Sequence, residues 1–129
     1  MSLFDVTFDS IGLALGAAGK RQEVLANNVA NVNTPGFKRQ DVSFEDTLAR
    51  ALDESAARTG SAPSDDALDG VNYTVETQGS TSMRSDGNNV DIDHEMALLA
   101  ENNVRYNALI QMATKKIETM KYVISDGRR

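Results

Sequence analysis

The residues able to do acid–base or metal chemistry are few and poorly grouped. His94 is the single histidine, it stands beside Glu95, and there is no cysteine. A zinc site wants several nitrogen or sulfur ligands, so His94 reads as a solvent-facing residue near a helix start. The acidic run Asp86-Gly87-Asn88-Asn89-Val90-Asp91-Ile92-Asp93 has the composition of a calcium loop but not its order. Counted from Asp86, glycine falls at the second loop position rather than the sixth, and the twelfth is Ala97 rather than glutamate. A turn at Asp86-Gly87 followed by helix capping accounts for the run better. No set of nucleophile, base and orienting group assembles without that one histidine, and no glycine-rich phosphate loop is present. The sequence argues against an enzyme and calls for no cofactor and no metal.

What the chain does concentrate is amides. From Leu25 to Gln40 it reads LANNVANVNTPGFKRQ, with Asn27, Asn28, Asn31 and Asn33 set just ahead of Thr34-Pro35-Gly36-Phe37. Asparagine is a poor helix former and an infrequent core residue. Its amide both donates and accepts, so several around one helix end can bond the carbonyls left open there and reach neighbouring chains. Asn27 and Asn31 share an i,i+4 row, Asn28 lies on another face, and Ala26 and Ala30 form a smooth row between. Thr34-Pro35-Gly36-Phe37 has the chemistry of a type II turn, with proline fixing the second position and glycine supplying positive φ at the third. Thr34, ahead of proline, is pushed out of the helical region, which ends the helix near Asn33. The four asparagines with Thr34, Pro35, Gly36 and Phe37 form a candidate assembly motif.

Two long helices have to carry that motif. Phe8, Ile11, Leu15, Ala18, Gln22, Leu25, Val29 and Val32 recur at spacings of three and four, which predicts an N-terminal helix capped by Asp9 or Ser10. Gly12, Gly16 and Gly19 weaken it, so it depends on its neighbours. Met96, Leu99, Asn103, Tyr106, Ile110, Ala113, Ile117, Met120 and Ile124 repeat the pattern at the other end, with Gly127 as its stop. Acidic residues at its start and Lys115, Lys116 and Lys121 near its end suit the helix dipole. Two stripes of 3.5-residue period suit an antiparallel coiled-coil pair, with Leu15, Leu25, Val29 and Val32 meeting Met96, Leu99, Tyr106, Ile110, Ile117, Met120 and Ile124 along the seam.

Between the helices the character changes. Ser43-Phe44-Glu45-Asp46 resembles a capping box opening a short helix to about Arg58, with Phe44, Leu48 and Leu52 on one face. Thr59 to Gly70 reads as loop by composition, and Val71 to Val90 as an irregular or small β segment, a strand or hairpin with its turn at Asp86-Gly87. The expected organisation is mainly α. It comprises an axial helix over 1–33, a turn and short helix over 34–58, a flexible acidic segment over 59–90 and a second axial helix over 91–129, together one assembly domain.

Composition agrees. A chain of 129 residues suits one domain with a modest core. Thirteen basic against 19 acidic residues and 5% aromatics argue against nucleic-acid binding, which wants a basic footprint and stacking rings. Residues 41–95 hold three basic and thirteen acidic side chains, so the middle repels itself and association belongs to the ends. No apolar run is long enough to span a membrane. Asp5 and Asp9 stand where a signal peptide needs basic residues, so a cleaved secretory signal is not expected.

The stretch Leu25 to Lys38 resembles the N-terminal signature of the bacterial flagellar rod and hook proteins. Asp86-Gly-Asn-Asn-Val-Asp-Ile-Asp-His-Glu95, leading into Glu101-Asn102 and Tyr106-Asn107, is similar to the proximal rod group of that family. The resemblance covers roughly residues 8–52 and 86–128. A short head fits the proximal rod better than the longer distal rod and hook members. FlgC, the other short rod subunit, is the near alternative, set apart by an insertion it usually carries around the turn that here runs from Pro35-Gly36 straight into Phe37.

The resemblance implies a structural subunit of the basal body rod whose paired terminal helices line a central export channel and transmit torque. It implies export through the flagellar type III apparatus without a cleaved signal and assembly in the periplasm. The implied partners are other copies of the chain, FlgC, FliE, the MS-ring and that export apparatus, with neither nucleic acid nor a membrane span. It would place the amides at the top of the inner helix, bonding across subunits. Without the resemblance, a helical adaptor that takes a partner helix in a groove is the competing reading.

Overall fold

The computed structural model describes residues 6–60 and 65–126. The protein is mainly α. In chain order it comprises helix α1 (Val6–Ala30), strand β1 (Gln40–Ser43), helix α2 (Glu45–Thr59), a 3-10 turn (Asp65–Leu68), strand β2 (Thr74–Thr77) and helix α3 (Ile92–Asp126). Gly127, the expected stop of α3, and parts of the first and third expected segments lie outside the described residues.

Helix α1 follows the apolar stripe read from its sequence. Ile11, Ala18 and Leu25 are buried at seven-residue intervals, while Gly12, Gly16 and Gly19 face outward. Its described start at Val6 lies ahead of the expected cap, and Ser10 sits inside the helix with its hydroxyl donating back to the Val6 carbonyl.

Helix α2 is held by its first residues. Phe44, not Ser43, occupies the N-cap position, and no side-chain cap bond forms there, so the capping box is not made. Phe44 instead buries its ring against Ala17 and Val71, with Leu13, Ala14, Leu48 and Ala51 packed around it. That cluster is the hydrophobic anchor between α1 and the middle of the chain. The helix ends where Gly60 takes φ 63° and returns its N–H to the Ala56 carbonyl, the left-handed stop that glycine makes without a Cβ penalty.

The sheet is two antiparallel strands in the register Gln40↔Thr77, Asp41↔Glu76, Val42↔Val75 and Ser43↔Thr74. The β2 strand falls inside the expected β segment, but its partner is β1, more than thirty positions earlier, rather than the other arm of a local hairpin. The outer edge of β1 is taken by α1: the Gln40 backbone bonds Asn28, and the Val42 carbonyl accepts from Arg21 Nη2 at 2.7 Å. Asn28 meets Glu95, and Asn102 meets Ala18 and Gln22, so α1 and α3 run in opposite directions where they touch. At 35 residues against 25, α3 continues beyond the described start of α1.

Candidate functional site

The site forms where the C-terminal end of α1, the start of β1, the loop before α3 and the first turns of α3 converge. Every residue that organises it is polar. The Asn28 side chain is fully buried and behaves like an extra strand residue: its Oδ1 accepts from the Gln40 N–H at 2.9 Å, and its Nδ2 donates to the Gln40 carbonyl at 2.7 Å. The same nitrogen donates to Glu95 Oε2 at 2.9 Å. Glu95, also 0% exposed, takes a charge-assisted bond of 2.6 Å from Arg39 Nε on its other oxygen. Both carboxylate oxygens are therefore engaged, which a buried charge requires. Arg39 Nη1 lies 3.6 Å from Asp41, and Nη2 is buried with no partner.

Two further asparagines join the loop before α3 to the end of α1 and to the segments around β1 and β2. Asn88 Nδ2 donates to the carbonyls of Asn31, Val32 and Thr34, at 3.0, 3.1 and 2.8 Å. These are groups a helix leaves open at its end, and here a residue from the far side of the chain fills them. Arg84 Nη1 adds a second donor to the Val32 carbonyl. Asn89 Oδ1 accepts from the Arg39 N–H at 2.7 Å, and its Nδ2 donates to the Gln78 carbonyl and Thr81 Oγ1. Lys38 Nζ donates to the carbonyls of Thr81 and Gly87.

The Thr34–Phe37 turn has the expected geometry. Gly36 takes φ 73°, and the Phe37 N–H donates to the Thr34 carbonyl at 3.2 Å. The Gly36 N–H donates to the Asp86 carbonyl, so this turn is docked onto the one at 84–87, where the Gly87 N–H returns to the Arg84 carbonyl. Asp91 then caps α3, its carboxylate accepting from the Asp93 and His94 N–H groups, and His94 is exposed. Among the described residues no group of three or more His, Cys, Asp or Glu could hold a metal ion.

A second cluster ties the three helices together. Arg21 grips the Glu45 carboxylate with both terminal nitrogens at 2.6 and 2.7 Å, and Arg105 from α3 reaches the same carboxylate. The Arg21 hydrogen bond holds the Glu45 carboxyl down to about 2, against an opposing effect of burial.

The expected assembly motif thus divides. Asn28 turns wholly inward and is satisfied within its own chain. Asn31 bonds Asn27 and accepts from Thr34 Oγ1 along the surface, and Asn27, Asn33, Thr34, Pro35 and Gly36 are exposed, with Phe37 half-buried. The seam residues divide too. Leu25 is buried, and Leu15, Val29, Val32, Leu99 and Met120 are half-buried. Met96 is 53% exposed and Ile110 42%, and Tyr106, Ile117 and Ile124 are also exposed within the single chain. The face that α3 turns to α1 is marked instead by Glu95 and Asn102. Asn102 Nδ2 donates to the Ala18 carbonyl and Gln22 Oε1, at 3.0 and 2.9 Å. Reading apolar periodicity passed over Arg39, Asn88, Asn89, Glu95 and Asn102 as site residues. The second amide pair at 88–89, matching the first cluster at 27–33, is a signal for Asn88 and Asn89, whereas nothing in the pattern marks Arg39, Glu95 or Asn102.

Comparison with known proteins places this arrangement. A family profile described as "Flagella basal body rod protein" matches residues 12–38, which span most of α1 and the turn after it. The flagellar basal body rod protein FlgB of Bacillus subtilis is 36% identical over 129 residues, covering 99% of this chain and 100% of the relative. The chain belongs to the FlgB family of flagellar basal body rod proteins. FlgB of Borrelia hermsii is 34% identical over 134 residues, covering 96% of this chain and 99% of the relative. FlgB of Salmonella typhimurium is 30% identical over 131 residues, covering 88% and 89%. The family is structural rather than enzymatic.

Proposed function

We propose that this chain is a structural subunit of the proximal rod of the flagellar basal body, working as one assembly domain. The observation that carries the reading is the likeness to FlgB along essentially the whole of both chains. The exposed apolar residues of α3 support it. Met96, Ile110, Ile117 and Ile124 lie uncovered along a helix that outruns its partner, a surface that costs solubility unless neighbours bury it. In the rod, α1 and α3 complete an antiparallel coiled coil among subunits around the central export channel and transmit torque along it. The turn at Thr34–Phe37 leads the chain outward from the tube, and the exposed Asn27 and Asn33 are placed to bond neighbouring subunits.

The subunit reaches the periplasm through the flagellar type III export apparatus and assembles with its own copies, with FlgC and FliE, and with the MS-ring. Among the described residues no helix is long and apolar enough to cross a membrane. The test is to supply this chain to a strain lacking its own FlgB and to purify basal bodies. Recovery of the chain in the rod fraction with restored swimming supports the reading. A chain that stays out of the basal body while remaining folded and soluble favours the adaptor reading instead.

A further inference from the structure

Glu95 and Asn102 stand seven residues apart on α3, and both are buried against α1. One position further along the helix lies the row of Met96, Asn103 and Ile110, two large apolar side chains about one amide, which is exposed. Successive residues of a helix are separated by about 100° around its axis. A rotation of α3 by about that angle would therefore exchange the two rows and bury Met96 and Ile110 beside Leu99, Tyr106 and Ala113. That alternative would bury Met96 and Ile110 in exchange for Leu109 and two polar residues, Glu95 and Asn102. The observed packing encloses an ion pair, leaves Arg39 Nη2 and Asn102 Oδ1 without partners, and exposes Met96 and Ile110.

We infer that Glu95 and Asn102, together with Arg39, are positioning residues that select the rotational setting of α3 and thereby hold Met96 and Ile110 outward. The mechanism is exclusion. In the rotated setting Glu95 would leave the buried Arg39 Nε and take one of the two bonds of Asn28 Nδ2, and Asn102 would leave the Ala18 carbonyl and Gln22, so that a buried guanidinium loses its carboxylate. Buried ion pairs are poor sources of stability, and replacing them by apolar groups is often neutral or better. Their best-attested use is to fix register, as a single buried asparagine does in coiled coils. The value of the outward row for assembly rests on the rod reading. The selection of the setting does not, because it is a property of one chain.

The absence of native cysteine makes the test direct. Met96→Cys and Ile110→Cys are made singly, and each is labelled with a maleimide at a concentration where sedimentation shows monomer and circular dichroism shows helix. In the otherwise native chain both thiols label fast. In Arg39→Ala, Glu95→Ala, Asn102→Ala, which removes the polar contacts without giving that row apolar bulk to rival Met96 and Ile110, the inference predicts that labelling at both positions slows about tenfold as the row turns inward, while Leu109→Cys, half-buried in the native chain, speeds up. A merely destabilised chain would label faster everywhere. Unchanged fast labelling at 96 and 110 would overturn the inference, since apolar packing would then set the rotation unaided. Loss of helix in the triple variant would overturn it equally, because no alternative packing would exist for the polar residues to exclude. Neither result bears on whether the chain enters the rod.

Discussion

Asn28 and Glu95, 67 positions apart in the chain, are joined by a buried hydrogen bond of 2.9 Å, and neither side chain is exposed. The bond ties the family's N-terminal signature to the start of the C-terminal helix. It makes one half of the chain a condition for satisfying the other. Asn28→Asp should therefore be severe, because it sets a second carboxylate against Glu95 where no water can screen the pair. A loss of about 3–5 kcal/mol is expected from breaking a buried charged arrangement. Asn33→Ala, five positions away and exposed, should stay within about 0.5 kcal/mol. Urea unfolding of the two variants checks the contrast.

Asn88→Ala should loosen the end of α1 without touching α1 itself. Three carbonyls lose one of their two donors, since Thr34 N–H, Arg84 Nη1 and Phe37 N–H still reach them, and a net loss of about 0.5–1.5 kcal/mol is expected for a hydrogen bond removed in this way. Hydrogen exchange should rise first at Asn31 and Thr34, whose N–H groups close the last turn, before the middle of α1 responds. Uniform acceleration along the helix would count against the capping role.

Gly36 separates backbone need from packing need. A Cβ built there meets nothing within 4 Å, so Gly36→Val fails only through its φ of 73°. About 1–3 kcal/mol is expected for a β-branched residue held there, and clearly less for Gly36→Asn. Export should be unaffected in both, since an unfolded chain places no constraint on φ, and assembly should suffer in the valine variant alone. The readouts are subunit reaching the periplasm and swimming.

The amides at 27–33, the turn after them and all three helices were legible in the sequence, because helical period and the Pro-Gly pair act locally. The turn of α3 about its axis was not. Apolar periodicity assigns Met96 and Ile110 inward, and nothing in a hydrophobic pattern shows that Glu95 and Asn102 have polar partners waiting on α1 and β1. The β1 strand was missed for a related reason. Gln40-Asp41-Val42-Ser43 has too little apolar alternation to read as a strand, and it is one because β2, Asn28 and Arg21 supply its hydrogen bonds. The capping box at Ser43 had the right residue types, but burying the Phe44 ring shifted the helix start by one position.

Glu45 should give acid sensitivity of known sign. Its carboxyl titrates at about 2 in the folded protein, below its ordinary 4.5, because Arg21 favours the charged form. The contribution is present above pH 4.5 and is lost as pH falls from there toward 2. The side chain is half exposed, so the effect should be about 1 kcal/mol or less once solvent screening is allowed for. Glu45→Gln should be less stable than the native chain at pH 7, and the gap should narrow by pH 2. A gap that widens on acidification would contradict the assignment.

Whether this chain builds the rod with its terminal helices can be read from a density map of an intact basal body that contains it. The chain should lie in the proximal rod, with α1 and α3 along the axis and Met96, Ile110, Ile117 and Ile124 buried against neighbouring subunits. A map that lacks the chain in the rod, or shows those four side chains facing solvent, would contradict it.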